Sequence, residues 1–563
     1  MDNTTRNHIG WIITIIGSLL AASVPILFLK QITGSFVPTI LPQLESDHLY
    51  YLTHVQKVLQ GHGSLGNPYI LEYRDAAFPG LRLPVYLSAI PGLLGLSIIT
   101  TYNVSAVLYT LLTAGLLFVL CKKLVENTVL AAAIAVLGTA SVQNLILRPA
   151  VMQTVYPAFL LFIIALLLVT QKPQETKHYV FLGATTALSF YVYPHLWMQT
   201  FTAVGLFFLM MLWQRNTAAI RNSIIMGIGI VLLCLPQIIQ TVALFTDPMA
   251  SLINLRSGLV ETHRVLPLTL MNNKYSILVI AVLIVLRIHR KWSRAELVLF
   301  LLSASVLIAA TSNVVTGKLM DFSTHPWRLG MVVNIVAIAV MMASLKQRLL
   351  HTEKLALGFC VLMLTLSALN RIAPRANAYS YVKRYDEIVE QYDYRKEYER
   401  IFAVLSAHDI HNSVIAADTT LSFLLPLYTD NTVLFVGRAN LHVLPQDELL
   451  ERFLTQNVSR IDEQFLRTHV NEFAGLTYKE VVIYHNAFAT DDEKIEEIDL
   501  IGGQERLEEI LEQAKDIDEH YEQMLEKFNV HYIIEDSLSD INVRVPRSAK
   551  VLYEDERFTI YKM

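Results

Sequence analysis

Carboxylates and a histidine crowd the run Leu44-Glu45-Ser46-Asp47-His48-Leu49-Tyr50-Tyr51, about a dozen residues after the first long apolar stretch. A carboxylate so placed can take a proton from a hydroxyl or hold a metal ion. Ser46 fits a helix N-cap, so the pattern predicts a helix from Asp47 to about Gln60, ended by Gly61, Gly63 and Gly66-Asn67-Pro68. On it Asp47, Tyr50 or Tyr51, and His54 share one face, while Leu49, Leu52, Val55 and Leu59 form an apolar stripe. The expected placement is along a membrane surface, apolar side down. A helix N-terminus stabilises Asp47 as the anion, which suits a base or a hydrogen-bond acceptor better than an acid. The plainer alternative is that Asp47 only starts the helix.

The elements that must position this run are membrane helices. Apolar stretches near 9–29, 103–122, 128–147, 153–171, 178–194, 196–213, 221–243, 272–288, 296–313, 327–345 and 354–370 each approach the length of a bilayer core. They predict a polytopic α-helical membrane protein of about eleven transmembrane helices. A shorter amphipathic piece at 84–98 suits the interface or a re-entrant segment. Gly10 to Leu29 reads as a retained first helix, since no small-residue cleavage site follows. Cys121, Cys234 and Cys360 all fall in apolar segments, which leaves no thiolate metal site or disulfide for a soluble part.

Charge divides the chain in two. Residues 1–370 hold 24 Lys and Arg against 12 Asp and Glu, and the rest hold 21 against 37. A sparsely charged membrane domain (1–370, first outer loop 31–83) therefore precedes an acidic, water-soluble domain (371–563). With the N-terminus cytoplasmic, every inner connection carries Lys or Arg, from Arg6 to Lys354. An odd number of spans then places the C-terminal domain outside. On that outer side fall Glu45, Asp47, His54, Arg74, Asp75, Arg148, His195, Arg264, Lys318, His325 and Arg328. The segment from Arg256 to Arg264, with Glu261 and His263, reads as a loop or short helix able to close over a site.

The soluble part alternates helix and strand, which predicts a small extracytoplasmic α/β domain. Expected elements are a long helix at about 379–408, strands at Val414–Asp418, Thr432–Gly437 and Val481–Tyr484, helices near 503–527, and closing strands at 530–535 and 550–562. It carries no Gly-rich phosphate loop, zinc spacing or nucleophile elbow. Asn457-Val458-Ser459 matches a glycan acceptor triplet.

The layout resembles the GT-C superfamily of integral-membrane glycosyltransferases, which take a sugar from a polyprenyl-phosphate donor. The likeness rests on Glu45-Ser46-Asp47 with His48-Leu49-Tyr50-Tyr51, on Leu83-Pro84-Val85-Tyr86, on the break Tyr193-Pro194-His195, and on Arg328 opening a late span. In the tail it rests on Tyr428-Thr429-Asp430 before Val433-Leu434-Phe435-Val436-Gly437, and on Tyr532-Ile533-Ile534 and Phe558-Thr559-Ile560-Tyr561. The resemblance implies that Asp47, with Glu45 beside it, is the catalytic carboxylate. Metal-dependent members add an acid in a later outer loop, where this chain reads Leu147-Arg148-Pro149-Ala150-Val151, so a divalent metal is not favoured and no cofactor is expected.

The implied reaction is inverting sugar transfer to a lipid, glycan or protein acceptor at the outer face of the plasma membrane. Arg328, Lys318, Arg264 and Arg148 are then candidates for the departing phosphate, Arg328 first; a snorkelling arginine is its plainer reading. His195 suits a phosphate or sugar hydroxyl, or a helix break. Arg74 and Asp75 suit acceptor hydroxyls, or each other. His325 and Trp327 offer a face for a sugar, though tryptophan is also a common interface anchor. The rival readings are a transporter or flippase, and a non-catalytic protein of envelope-polysaccharide assembly.

Overall fold

The computed structural model describes residues 3–33, 47–246, 249–320, 324–347, 349–380 and 397–563. Its helices up to residue 380 are α1 (Asn3–Thr33), α2 (Asp47–Leu59), α3 (Arg82–Ala89), α4 (Ile98–Leu124), α5 (Thr128–Ile146), α6 (Val151–Gln171), α7 (Thr176–Val192), α8 (Pro194–Trp213), α9 (Thr217–Phe245), α10 (Ala250–Arg256), α11 (Pro267–Asn272), α12 (Lys274–His289), α13 (Arg294–Ala310), α14 (Asn313–Thr316), α15 (Thr324–Ser344) and α16 (His351–Ser380). Among the described residues, eight are long and apolar enough to cross a membrane: α1, α4, α5, α6, α8, α9, α15 and α16. The chain is a polytopic helical membrane protein. The other three expected stretches are also helical, as α7, α12 and α13, but at 16 or 17 residues fall short of the usual span.

Burial orders the bundle. The α6 span is 89% buried within the protein and the α9 span 11%, so α6 is central and α9 sits on the rim. Proline sets the break between α7 and α8: Tyr193 is extended at φ −163°, and Pro194 opens the next helix. The amphipathic piece at 84–98 becomes α3 and a short 3-10 turn, leaving Ile90, Leu93 and Leu94 exposed. At the start of α13, Ser293 and Glu296 form a capping box, and Glu296 is clamped by Arg290 (2.9 and 2.5 Å) and Ser344 (2.7 Å).

The tail holds a five-stranded sheet. Strands β3 (Val414–Ala417), β4 (Thr432–Val433), β5 (Val530–Asp536), β6 (Lys550–Glu554) and β7 (Phe558–Lys562) lie in the order β4-β3-β5-β7-β6. The first three are parallel and β6 and β7 antiparallel. Two expectations fail. Val481–Tyr484 is not a strand but part of a helix, Leu476–Asn486, which buries Glu480 and Tyr484 one turn apart. The predicted strand to Gly437 stops at Val433, and a 3-10 turn follows at Gly437–Leu441. Of the long helix expected at 379–408, Tyr398–Ala407 is seen, while residues 381–396 lie outside the described residues.

The segment 256–264 is neither loop nor helix alone: β1 (Leu259–Glu261) pairs antiparallel with β2 (Lys318–Met320). This two-stranded piece and α10 rest on the tail helix Leu476–Asn486. Gly475 permits that approach, with φ +127° and no side chain; a Cβ there would lie 2.5 Å from the Leu255 carbonyl oxygen.

The described part of the expected outer loop, residues 47–83, does not lie open but packs on the tail. Leu49, Leu52, Val55 and Tyr69 share one core with Leu421, Leu424, Val433 and Ile534 of the tail. The seam is also polar. Buried Arg452 pairs with Glu72 (2.9 Å) and Glu448 (2.8 Å), Tyr73 donates to Glu448 (2.5 Å), and the Val433 amide donates to the Tyr69 carbonyl (2.8 Å). Helix α2 therefore packs against both α3 and the tail helix Thr419–Tyr428.

Candidate functional site

Helix α2 covers the expected run from Asp47 to Leu59; the expected Ser46 cap and Glu45 lie outside the described residues, and the Asp47 side chain with them. What surrounds the first turn is described. Four residues on, and so on the same helix face, the Tyr51 ring carries the Arg148 guanidinium at 5.4 Å.

Arg148 sits in the connection from α5 to α6, whose backbone is strained. Ala150 adopts φ 59° and ψ −80°, and the Val151 amide donates back to the Pro149 carbonyl at 2.8 Å. This is the disfavoured form of γ-turn. Non-glycine residues in such regions cost on the order of 1–3 kcal/mol and cluster where geometry serves function. Tyr102 holds the turn from outside, its hydroxyl donating to the Leu147 carbonyl at 2.7 Å.

The second group gathers at the N-terminal ends of α8 and α15. The His195 and His325 rings meet edge to face at 4.9 Å, with Tyr193 at 5.3 and 5.7 Å from them. One turn along α8, Gln199 is 1% exposed, and neither its amide oxygen nor its nitrogen has a partner among the described residues. On α15, Arg328 has Nε and Nη1 buried without a hydrogen-bond partner. Tyr156 of α6 donates to the Arg328 carbonyl at 3.4 Å, and the Arg371 guanidinium of α16 covers the Trp327 ring at 4.8 Å. A buried guanidinium with unmatched donors is costly unless an anion meets it. Helix α6 links the two groups, with the Arg148 turn at its N-terminus and Tyr156 further along. An apolar groove of about 410 Å³ between α1 and α4, with Ser23, Thr100 and Asn103 in its wall, has the lining a lipid chain needs.

Gln199 and Arg371 escaped the sequence reading. Gln199 had one available signal, its i+4 spacing from His195 inside an apolar stretch. Arg371 falls one residue past the last apolar stretch, where a basic residue normally reads as topology.

Other expected site residues stand elsewhere. His54 is wholly buried and lines no open space: its Nδ1 meets the Tyr50 carbonyl at 2.8 Å, and its ring stacks on His442 of the tail at 5.2 Å. Burial depresses the His54 pKa to about 4 and pushes His442 well below 6.5. Arg74 and Asp75 do not pair with each other. Arg74 donates to Asn412 (3.1 Å) and the Asp430 carbonyl (3.3 Å), and Asp75 accepts from Ser64 (2.8 Å). Arg264 and Lys318 belong to the β1–β2 piece, where Arg264 lies 6.0 Å from the Phe488 ring of the tail.

The crevice beyond the carboxyl ends of β3 and β5, where open α/β sheets bind ligands, is filled. Arg557 forks onto Asp536 (2.8 and 2.8 Å) and Tyr398 donates to it (3.0 Å). Asp418 caps the helix Thr419–Tyr428, and burial raises its pKa to about 6. The glycan triplet is closed as well: Asn457 is buried, its amide nitrogen held by the Phe453 carbonyl at 2.7 Å.

The chain matches no family model and no curated protein.

Proposed function

We propose that the protein is a membrane glycosyltransferase that moves a sugar from a polyprenyl-phosphate donor to a lipid, glycan or protein acceptor. The single observation that carries this reading is the Arg148 guanidinium seated on Tyr51, one turn beyond Asp47, on a strained turn. A carboxylate at position 47 and a cation held at Tyr51, on the same helix face by spacing, suit a base next to a phosphate-bearing substrate.

In the proposed reaction Asp47, assisted by Glu45, takes the acceptor hydroxyl proton. The freed oxygen attacks the anomeric carbon from the face opposite the carrier, the bond from that carbon to the phosphate oxygen breaks, and polyprenyl phosphate departs with its electron pair. Arg328 and Arg148 balance the charge that gathers on the phosphate, and His195, His325 and Gln199 hold sugar hydroxyls. No metal takes part. The orientation that serves this chemistry has eleven crossings, a cytoplasmic N-terminus, and the tail outside the plasma membrane.

The test is Asp47→Asn in the purified full chain, scored by release of polyprenyl phosphate from hexosyl and pentosyl donors. A loss of at least about a hundredfold, 2.7 kcal/mol, with unchanged thermal stability is expected. Undiminished release would remove the base from the reaction.

A further inference from the structure

We infer that the cleft between the β1–β2 piece and the tail helix Leu476–Asn486 is a binding site for a neutral oligosaccharide. The cleft encloses about 760 Å³, inside the range of small-ligand sites. Its floor is apolar, from Leu255, Leu259 and Val481, and its rim is polar. Phe488 is 40% exposed there.

The chemistry of the rim selects the ligand class. The Arg264 guanidinium lies over the Phe488 ring at 6.0 Å, and among the described residues neither that guanidinium nor the Glu261 carboxylate has an ion-pair or hydrogen-bond partner. Glu261 stands opposite Lys318 in the strand register without forming a salt bridge. His485 and Glu493 complete the rim. One guanidinium, one imidazole and two carboxylates thus share the lining with an aromatic ring, the Glu493 carboxylate already accepting from Thr490. A pyranose matches that pattern, because its C–H faces are apolar and stack on a ring while its edge hydroxyls both donate and accept. A phosphate or acidic sugar would have to sit beside two carboxylates, which disfavours it.

The wall is pre-formed. Tyr484 accepts from Thr262 at 2.6 Å and donates to the Arg264 carbonyl at 3.1 Å, and Asn313 donates to the same carbonyl at 2.7 Å. The cleft is also tied to the proposed donor site, since β2 ends at Met320 and α15, which carries His325 and Arg328, begins at Thr324. As the acceptor end of the transfer the site rests on the proposed function; as a saccharide site it does not.

The experiment uses the full chain in lipid nanodiscs with maltotriose, mannotriose, triacetylchitotriose and, as the charged comparator, trigalacturonate, read by saturation-transfer NMR. Saturable binding of at least one neutral trisaccharide is expected, weakened about tenfold or more by Phe488→Ala and by Glu261→Ala and left alone by Asp47→Asn. No saturable binding of any neutral probe, binding of trigalacturonate alone, or indifference to Phe488→Ala would each overturn the assignment. Because no donor is present, failure of the transferase reading would appear separately, as undiminished transfer in Asp47→Asn.

Discussion

Acid should loosen the tail from α2, and two imidazoles set the pH. His54 of α2 and His442 of the tail stack at 5.2 Å with 19° between their planes, both buried. Tyr50 and Phe78 pack on both rings, and Tyr69 packs on His442. The charged groups that reach them are Lys57 for His54, and His54 and Arg256 for His442; all are cationic when charged. The Tyr50 carbonyl at His54 Nδ1 (2.8 Å) favours an imidazolium, but burial is the larger cause and sets the direction of both depressions. A ring that is neutral in the closed seam but protonates once the seam opens favours closure only at higher pH. The contribution is therefore full above about pH 6.5 and is lost as the pH falls toward 4.

For His54 alone, the drop from 6.5 to about 4 corresponds to about 3 kcal/mol. By pH 5 about 2 kcal/mol of that is gone, roughly a thirtyfold rise in seam opening. Hydrogen exchange of residues 48–58 and 436–446, corrected for intrinsic rates, measures it between pH 7.5 and 5. His442 adds to the slope in the same direction. Replacing both histidines by phenylalanine should flatten the pH dependence, since an apolar ring of similar shape has no proton to gain. Opening that does not change across this range, or a slope that survives the double replacement, would refute the reasoning.

Two further outcomes follow from buried groups. Arg256 donates to the Asn440, His442 and Leu444 carbonyls and to the Gln446 side chain, all within 3.3 Å; Arg256→Met should leave these acceptors unmatched and weaken tail docking by about 1–3 kcal/mol, read as faster proteolytic release of the tail. Gln199→Leu should raise thermal stability by about 1 kcal/mol or more, because it removes an unmatched buried amide, while lowering sugar transfer; a fall in stability would show that the amide is satisfied in the working protein.

Hydropathy located the membrane helices because a bilayer imposes length and composition together. All eleven apolar stretches are helical, and the α7–α8 break lies at Pro194. The errors fall where tertiary contacts override local pattern. Val481-Val482-Ile483-Tyr484 has strand-like composition, yet burial of Glu480 and Tyr484 on one side makes it helical. The pairing of Leu259–Glu261 with Lys318–Met320 joins segments almost sixty residues apart, which no local signal reveals. The two-faced character of α2 was legible, but not the identity of its second cover. Leu49 and Val55 read as a membrane-facing stripe, and they instead share a core with Leu421 and Leu424. For the same reason His54 reads as a site residue in sequence and as an interface residue in space.

Arg328 offers the sharpest test of whether the second group serves a phosphate. A guanidinium presents a planar fork to two phosphate oxygens, while an ammonium offers one point of charge. Arg328→Lys keeps the net charge and the long stem, and lysine snorkels to an interface as readily as arginine does. A membrane anchor would therefore tolerate the change. If Arg328 meets the departing phosphate, kcat should fall about a hundredfold, about 2.7 kcal/mol, with KM for the donor far less affected, because charge on the bridging oxygen grows mainly in the transition state. The burial of Nε and Nη1 without partners favours this outcome, since an anchor would turn those donors toward water. Full activity in Arg328→Lys would return Arg328 to the role of anchor and leave Arg148, held on Tyr51, as the cation for the phosphate.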